Sequence, residues 1–519
     1  MKFGFIIDNR KCIGCHACTV ACKAEHLVPL GVNRTWVKYV EKGEFPNTRR
    51  LFSVMRCNHC DDAPCVEICP VSALFTRSDG IVDFDNRRCI SCKACTQACP
   101  YDAIYIDPID HTAAKCNYCT HRVDIGLEPA CVIVCPEHAI IAGDIDNPET
   151  EISKLLSRET VSVRKPEKGT NPKLFYIDGD KISLDPTETS QREDYMWSSQ
   201  SKGVGKFAKF ADEKKALSAL NRSENSEGDR GRARRVYDAP SKGIMWGWEV
   251  SAYILTKAIS AGAFLLPFSA GFFIDVPERI KLAGILLALV FISITGLLLI
   301  KDLGRPERFL YVLLRPQWRS WLTRGAYIIT SYGALLGIRL VLSFAGLEKD
   351  PIIKILDFVG IVLALLTAVY TAFLFAQAKG RDFWQSPMLG LHMMIHSLIA
   401  GVALYLLMAA AIVELAFFTR DLIYLLVILL TLHLVMIAVE ISTSHTTKDA
   451  AKVVEMIISG EFKWRFWLGM IFIGNLLPIA LGVFEPSYLT GFLMGSLVFI
   501  GLWFAEDIWV KAPQKIPLS

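Results

Sequence analysis

Sixteen cysteines fall between Cys12 and Cys135, and the 384 residues that follow contain none. They form four quartets: Cys12, Cys15, Cys18 and Cys22; Cys57, Cys60, Cys65 and Cys69; Cys89, Cys92, Cys95 and Cys99; Cys116, Cys119, Cys131 and Cys135. Each quartet opens with C-x-x-C and closes with C-x-x-x-C, and in three of them proline follows the last cysteine (Pro70, Pro100, Pro136). Four thiolates converging on a small inorganic core are the donor set of an iron–sulfur cubane. The run C-x2-C-x2-C-x3-C-P gives three cysteines to one cluster and its fourth to another. The proline then ends the short ligand-bearing helix and turns the chain away. The third quartet fits this run fully, and the first departs only at Lys23. The second and fourth widen the middle gap to four and eleven residues. The spacing predicts four [4Fe–4S] clusters, with quartets working in pairs. A disulfide framework is disfavoured because no secretory leader precedes Lys11 and no cysteine lies outside the array. Zinc is disfavoured because four repeats ending in C-x-x-x-C make poor ribbon sites.

The elements that must carry these loops are short. Phe3–Asp8, Leu51–Arg56, Gly80–Asp85 and Ala103–Ile106 read as strands, and Lys154 to Leu184 reads as a peripheral extension. The bounds expected are 1–189 for a cysteine-rich domain, 190–243 for a charged linker and 244–519 for an apolar domain. Within the linker, Phe207, Phe210, Lys214, Leu217 and Leu220 recur at helical spacing among lysines, a pattern suited to an anionic membrane surface or to packing on the first domain. Arg222 to Arg235 reads as flexible. The whole chain is 52% hydrophobic and 21% charged with a net charge of +4, which suggests no nucleic-acid partner.

Eight apolar stretches follow Trp246, at about 247–273, 280–300, 324–345, 353–377, 388–414, 420–441, 466–484 and 488–510. Each is long enough to cross roughly 30 Å of hydrocarbon as a helix. Eight crossings put both ends of the bundle on one side. Loops on that side and the tail carry fourteen Lys and Arg residues against five opposite. The positive-inside rule then sets the cysteine domain in the cytoplasm, on the inner membrane.

Two resemblances follow from particular phrases. CNHCDDAPCVEICP, CKACTQACPYDAI, KCNYCTHR and PACVIVCPEHAI resemble the four-cluster subunits of the dimethyl-sulfoxide-reductase and polysulfide-reductase type. That resemblance implies that Cys12, Cys15, Cys18 and Cys135 hold one cluster, and Cys22, Cys116, Cys119 and Cys131 a second. Cys57, Cys60, Cys65 and Cys99 would hold a third, and Cys69, Cys89, Cys92 and Cys95 a fourth. KDLGRPERFL, RPQWRSWLTRGAY and YTAFLFAQAKGRDFWQSP resemble the NrfD/polysulfide-reductase membrane subunit. The fold class expected is a duplicated ferredoxin-like α+β four-cluster domain followed by an all-α eight-helix transmembrane bundle. Two subunits of the family are here one chain. Lys257 stands in the first span where an apolar residue is expected, and an inside location departs from complexes of the family that face the exterior.

Ionisable residues in lipid are costly and mark function. Glu249, Asp302, Gln377, His392 and Glu440 fall near the cysteine-domain ends of their spans, with Tyr370, His396 and His433 somewhat deeper. Such a collection suits a quinone, with Asp302, His392, Glu249 and Tyr370 as the reactive candidates and Gln377, Arg305, His396 and His433 as binding residues. Simpler readings are an Asp302–Arg305 pair, histidines that only pack helices, and Lys257 in an ion pair with Glu440. The three histidines also raise haem b, disfavoured because the resembled family carries none.

The function expected is that of an electron-transfer and membrane-anchor subunit of a respiratory oxidoreductase. It would pass electrons between a soluble molybdopterin-type partner and menaquinone or ubiquinone in the bilayer. A hydrogenase partner, a redox-coupled proton-translocating module and a non-redox transporter with structural clusters are the alternatives.

Overall fold

A computed structural model of the chain describes residues 1–43, 46–189, 233–346, 351–409, 411–443, 445, 447–484 and 486–519. It divides into two compact units. The first is Met1–Met245 with Ala378–Gly380 and Pro517–Ser519, and the second is Trp246–Gln377 with Arg381–Ile516. The amphipathic pattern around Phe207 to Leu220 lies outside the described residues.

In the first unit the main strands are β1 (Phe3–Asp8), β2 (Thr35–Lys42), β3 (Arg49–Arg56), β4 (Ile140–Asp144), β5 (Val161–Ser162), β6 (Leu174–Ile177) and β7 (Arg234–Tyr237). Five of the six β1 residues are buried, as befits a strand covered on both faces. It lies between β4, antiparallel, and β6, parallel, with β5 beyond. A second sheet runs β7-β2-β3. Between the sheets' strands sit the cysteine loops and the four short helices that each carry a cysteine of one quartet: α1 (Ala17–His26), α2 (Pro64–Ile68), α3 (Ala94–Ala98) and α4 (Ala130–Ile133).

Three elements differ from the sequence reading. The supposed peripheral extension supplies β6 to the middle of the sheet, where Leu174, Tyr176 and Ile177 are buried. Four residues carry too little periodicity to reveal a parallel partner some 170 positions away. β2, with Trp36, Val37 and Val40 buried, was not among the expected strands. The supposed flexible stretch ends in β7, where Arg235 is buried and pairs with Asp238 at 2.9 Å. Its composition is that of a loop, and only pairing with β2 makes it a strand.

Among the described residues the second unit holds eight helices long and apolar enough to cross a membrane: α5 (Trp248–Ala270), α6 (Glu278–Asp302), α7 (Trp321–Phe344), α8 (Pro351–Gln377), α9 (Leu389–Met408), α10 (Thr419–Ser442), α11 (Arg465–Phe484) and α12 (Tyr488–Lys511). Most of α11, Arg465–Leu476, is π-helical. The apolar window of α5 is 83% buried and that of α9 72%, against 22–28% for α6, α7 and α8. The first pair is therefore interior, and the other three present apolar side chains outward, as lipid requires. Small residues let α5 and α9 meet closely. A Cβ on Gly262 would strike the carbonyl of Ser397 and the backbone of Gly401. Two buried hydroxyls tie helices together: Ser260 Oγ donates to Ala288 O at 2.7 Å and Tyr405 Oη to Ala263 O at 2.7 Å.

Candidate functional site

The cysteine loops share one backbone device. The third residue of every opening C-x-x-C has positive φ: Gly14 at 73°, His59 at 44°, Ser91 at 57° and Tyr118 at 63°. That left-handed residue curls the loop around the preceding sulfur, so that His59 N–H points to Cys57 Sγ at 3.5 Å and Ser91 N–H to Cys89 Sγ at 3.4 Å. A second left-handed residue stands three positions after each closing cysteine that proline follows: Ser72, Asp102 and His138. The next amides, of Ala73 and Ala139, donate to Cys69 Sγ and Cys135 Sγ, both at 3.2 Å. Non-glycine residues pay about 1–2 kcal/mol for this conformation, and its repetition marks a requirement of the loop.

Proline explains the helix lengths. The helices ahead of Pro70, Pro100 and Pro136 have five, five and four residues. Where Lys23 replaces proline, α1 runs on for ten residues. Lys23 then caps the following turn, its Nζ donating to Pro29 O at 3.0 Å.

None of the sixteen cysteines is in a disulfide, and most are buried. The structure brings them together in four sets. Cys12, Cys15, Cys18 and Cys135 line one cavity, and Cys69, Cys89, Cys92 and Cys95 line another. Cys22 lies within electrostatic reach of Cys116, Cys119 and Cys131, and Cys65 of Cys57, Cys60 and Cys99. Each closing cysteine thus sits with the first three of a different quartet. Burial pushes the thiols of Cys18 and Cys119 up to about 12. Thiolates in such surroundings need a metal's positive charge, since coordination deprotonates a thiol outright. Four soft donors around one cavity fit an iron–sulfur core.

Two buried cations adjoin the sulfurs. Arg56 is fully buried with its guanidinium over the Phe5 ring, 4.5 Å from the centroid. Its Nη1 donates to Cys131 Sγ at 3.1 Å, while Nε and Nη2 have no protein partner among the described residues. Cys18 and Cys116 lie within its reach, so it lies between the set that holds Cys12 and the set that holds Cys22. Lys115, also fully buried, donates to Cys116 O at 2.9 Å and to Val82 O. Its charge reaches Cys57 and Cys65, placing it between the set that holds Cys22 and the set that holds Cys57. Neither was singled out in the sequence. A charged residue inside the run before a quartet is the only local signal.

In the second unit, three of the expected residues converge. His392, His396 and His433 are buried, and one ring nitrogen from each lies within 4.8 Å of the other two. His396 Nε2 faces His433 Nε2 at 3.0 Å. His396 Nδ1 lies 2.7 Å from Glu506 Oε1, and His433 Nδ1 lies 2.9 Å from Asn475 Oδ1. His392 Nε2 lies 3.0 Å from Glu440 Oε2. Six side chains from four helices so form one buried polar cluster. Glu506 and Asn475 were missed in the sequence, although a carboxylate inside an apolar span is itself a signal.

Lys257, on α5, donates to Thr371 Oγ1 at 2.6 Å and Ala368 O at 3.0 Å, and its Nζ stands 4.5 Å from the centroid of the Tyr370 ring. It is also within electrostatic reach of Glu506. The pairing of Lys257 with Glu440 is replaced, because the acid lies against His392 instead. Arg339 pairs with Asp357 at 2.8 Å. Glu249, in the first turn of α5, and Asp302, the last residue of α6, are half-buried. Buried Tyr253 lies within reach of Asp302, Tyr370 and Glu506 alike. Gln377 ties helix ends together, accepting from Trp321 N–H at 2.8 Å and donating to Arg319 O at 2.7 Å. Arg305 pairs with Glu307 at 3.4 Å.

Comparison with known proteins agrees with both units. Residues 238–508 match the family of polysulphide reductase, NrfD, and residues 11–74 and 48–145 match 4Fe-4S dicluster domains. The chain is 44% identical over 189 residues to a subunit of tetrathionate reductase from Salmonella typhimurium, covering 36% of this chain and 76% of that protein. It is 40% identical over 181 residues to a subunit of polysulfide reductase from Wolinella succinogenes, covering 34% and 94%. It is 33% identical over 225 residues to the iron-sulfur subunit of arsenate respiratory reductase from a Shewanella species, covering 34% and 96%. Fold, cysteine sets and bundle define a multi-pass membrane protein with an iron–sulfur electron-transfer region. The chain belongs to the NrfD polysulphide reductase family, with 4Fe–4S domains and NrfD membrane part in one polypeptide.

Proposed function

We propose that the chain carries electrons through four [4Fe–4S] clusters between a soluble molybdopterin-type catalytic subunit and a membrane quinone. Residues 1–189 are read as the electron-transfer domain, 190–243 as a linker and 244–519 as the membrane domain, with the clusters on the cytoplasmic side of the inner membrane. The observation that supports this most is the division of sixteen cysteines into four complete sets of donors. Clusters of this kind supply one-electron transfer when bound. The protein's part is to hold the thiolates, exclude water and set the local charge through Arg56, Lys115 and the loop amides.

In the bundle, Tyr370 and His392 are assigned to the quinone oxygens, and Asp302 and Glu249 to proton exchange at the ends of α6 and α5. His396 and His433 stand behind His392. Gln377 and Arg305 position the loops on which the site is built. Quinone chemistry needs groups that titrate beside an apolar slot, and these residues supply them.

The test is reoxidation of the reduced clusters in the intact membrane complex by a short-tailed quinone analogue. Rapid reoxidation is expected, and its failure ends the quinone reading. Asp302→Asn should slow turnover by roughly 10²-fold while leaving the iron content unchanged, and normal turnover would remove Asp302 from the site. A molybdopterin-containing subunit is expected to co-purify, whereas a hydrogenase subunit would redirect the partner.

A further inference from the structure

The histidine cluster fixes its own protons. Asn475 Nδ2 donates to Met470 O at 2.7 Å, which orients the amide so that its Oδ1 faces His433. A ring nitrogen 2.9 Å from a carbonyl oxygen must carry a hydrogen, so His433 Nδ1 is protonated and, in the neutral ring, Nε2 has the lone pair. That lone pair faces His396 Nε2 at 3.0 Å, so His396 must donate there. The other nitrogen of His396 lies 2.7 Å from Glu506. Either His396 is an imidazolium beside a carboxylate, or it is neutral and accepts a hydrogen bond from a protonated Glu506. Both descriptions hold one proton more than a carboxylate and two neutral imidazoles with Nδ1–H. Without it, two lone pairs would oppose each other in a buried site.

We propose that Glu506, His396 and His433 form a loaded proton site inside the bundle, oriented by Asn475, that exchanges one proton with the quinone chemistry next to it. The exchange rests on the quinone reading, while the proton site itself does not. Reducing a quinone to a quinol takes two electrons and two protons. The electrons come through the clusters, one proton comes from the Glu506–His396 pair by way of His392, and the other comes from water through a separate group. Quinol oxidation runs the same transfers in reverse. His392, with its ring about 6 Å from both other histidines, is the group that can pass the proton outward. The charged and titratable groups facing the site are Glu440 from α10, His392 from α9, and Lys257 and Tyr253 from α5. Asp507, the sequence neighbour of Glu506, is paired with Arg465 at 3.0 Å and with Lys511, and Glu506 is the acid in contact with His396. A metal ion between the opposed Nε2 atoms is the competing occupant, but a 3.0 Å separation is that of a hydrogen bond.

The test uses the full chain in its complex, in lipid nanodiscs, with wild type, Glu506→Gln and His433→Gln. Without quinone, the infrared difference between wild type and Glu506→Gln should contain the absorption of a protonated carboxyl or an imidazolium. Its absence overturns the proposal, as does a stoichiometric metal, beyond cluster iron, that is lost in His433→Gln. With a short-tailed quinone analogue, Glu506→Gln should slow cluster reoxidation at least about tenfold. Its rate should become first order in external protons, whereas the wild-type rate is flat around neutral pH. Unchanged rate and pH profile, with normal cluster spectra in both proteins, overturn the exchange. If the infrared signal is present but the wild type does not react with the analogue, the proton site stands and the quinone reading fails.

Discussion

The two units place their chemistry by opposite means. In the cysteine unit, most donors lie three to five residues apart on loops whose backbone is set by a left-handed residue and a proline. In the bundle, the polar cluster draws one or two residues from each of α9, α10, α11 and α12, more than one hundred positions apart at its extremes. Local geometry suffices for the first. The second exists only when helices pack. It follows that the units should fail differently when disturbed.

The largest contrast should come from removing iron. Anaerobic chelation is expected to unfold the cysteine unit, because its thiols lose the charge that made them thiolates and metal binding is folding energy there. The bundle should keep its helices. Far-ultraviolet circular dichroism with limited proteolysis measures both, and equal loss in the two units would break the comparison.

The exchange of closing cysteines gives the next effect. Cys22→Ser should abolish the cluster of Cys116, Cys119 and Cys131 while sparing that of Cys12, Cys15 and Cys18, although Cys22 is their neighbour in sequence. Iron content and paramagnetic resonance spectra would show one cluster lost and which one. Loss of the cluster at Cys12 instead would contradict the four sets.

In the bundle, Gly262→Val should be severe without touching any donor. The new carbons would be driven into Ser397 and Gly401, and overpacking costs typically about 1–3 kcal/mol. A lowered unfolding temperature with full cluster content is expected, and an unchanged temperature would show that α5 and α9 are not closely packed.

Arg56→Met should leave the fold and the cluster content intact but lower the potentials of the clusters in the sets that hold Cys12 and Cys22. A cation favours the more negative, reduced state. A shift of about 60 mV, the one-electron equivalent of ~1.4 kcal/mol, should appear in redox titration followed by paramagnetic resonance. An unmoved potential would mean that Arg56 acts only by packing.

The smallest effect belongs to Asp8, whose carboxylate takes two 2.8 Å hydrogen bonds from Arg10. Those bonds hold the carboxyl below its usual value. A depressed carboxyl stabilises the fold at neutral pH, and that contribution is lost as pH falls through its folded value. With Arg10 half-exposed, Asp8→Asn should cost at most about 1 kcal/mol at pH 7. The difference from wild type, read by denaturant titration, should vanish in acid.

Much of the cysteine site was legible because its chemistry is written at short range. The quartets and the break at Lys23 each had a direct structural counterpart, down to the longer α1. Gly14 alone announced a left-handed turn, while His59, Ser91 and Tyr118 adopt it because the loop closes around sulfur. Apolar length likewise located the eight spans, seven of them to within three residues at each end, while the fifth ends at Met408 and not near 414. β6 and β7 were not legible, since a four-residue strand is specified by its partner more than by itself. In the bundle the sequence marked His392, His396 and His433 by being polar where lipid disfavours it.

Sequence alone determined the donor types, their number and the eight apolar crossings, because those rest on local spacing and on hydrophobic length. Tertiary structure decided which cysteines share a cavity and that Arg56 and Lys115 stand between sets. It also decided that Glu506 and Asn475 complete the histidines. Those outcomes depend on distances between residues far apart in the chain, which packing sets and no local pattern encodes.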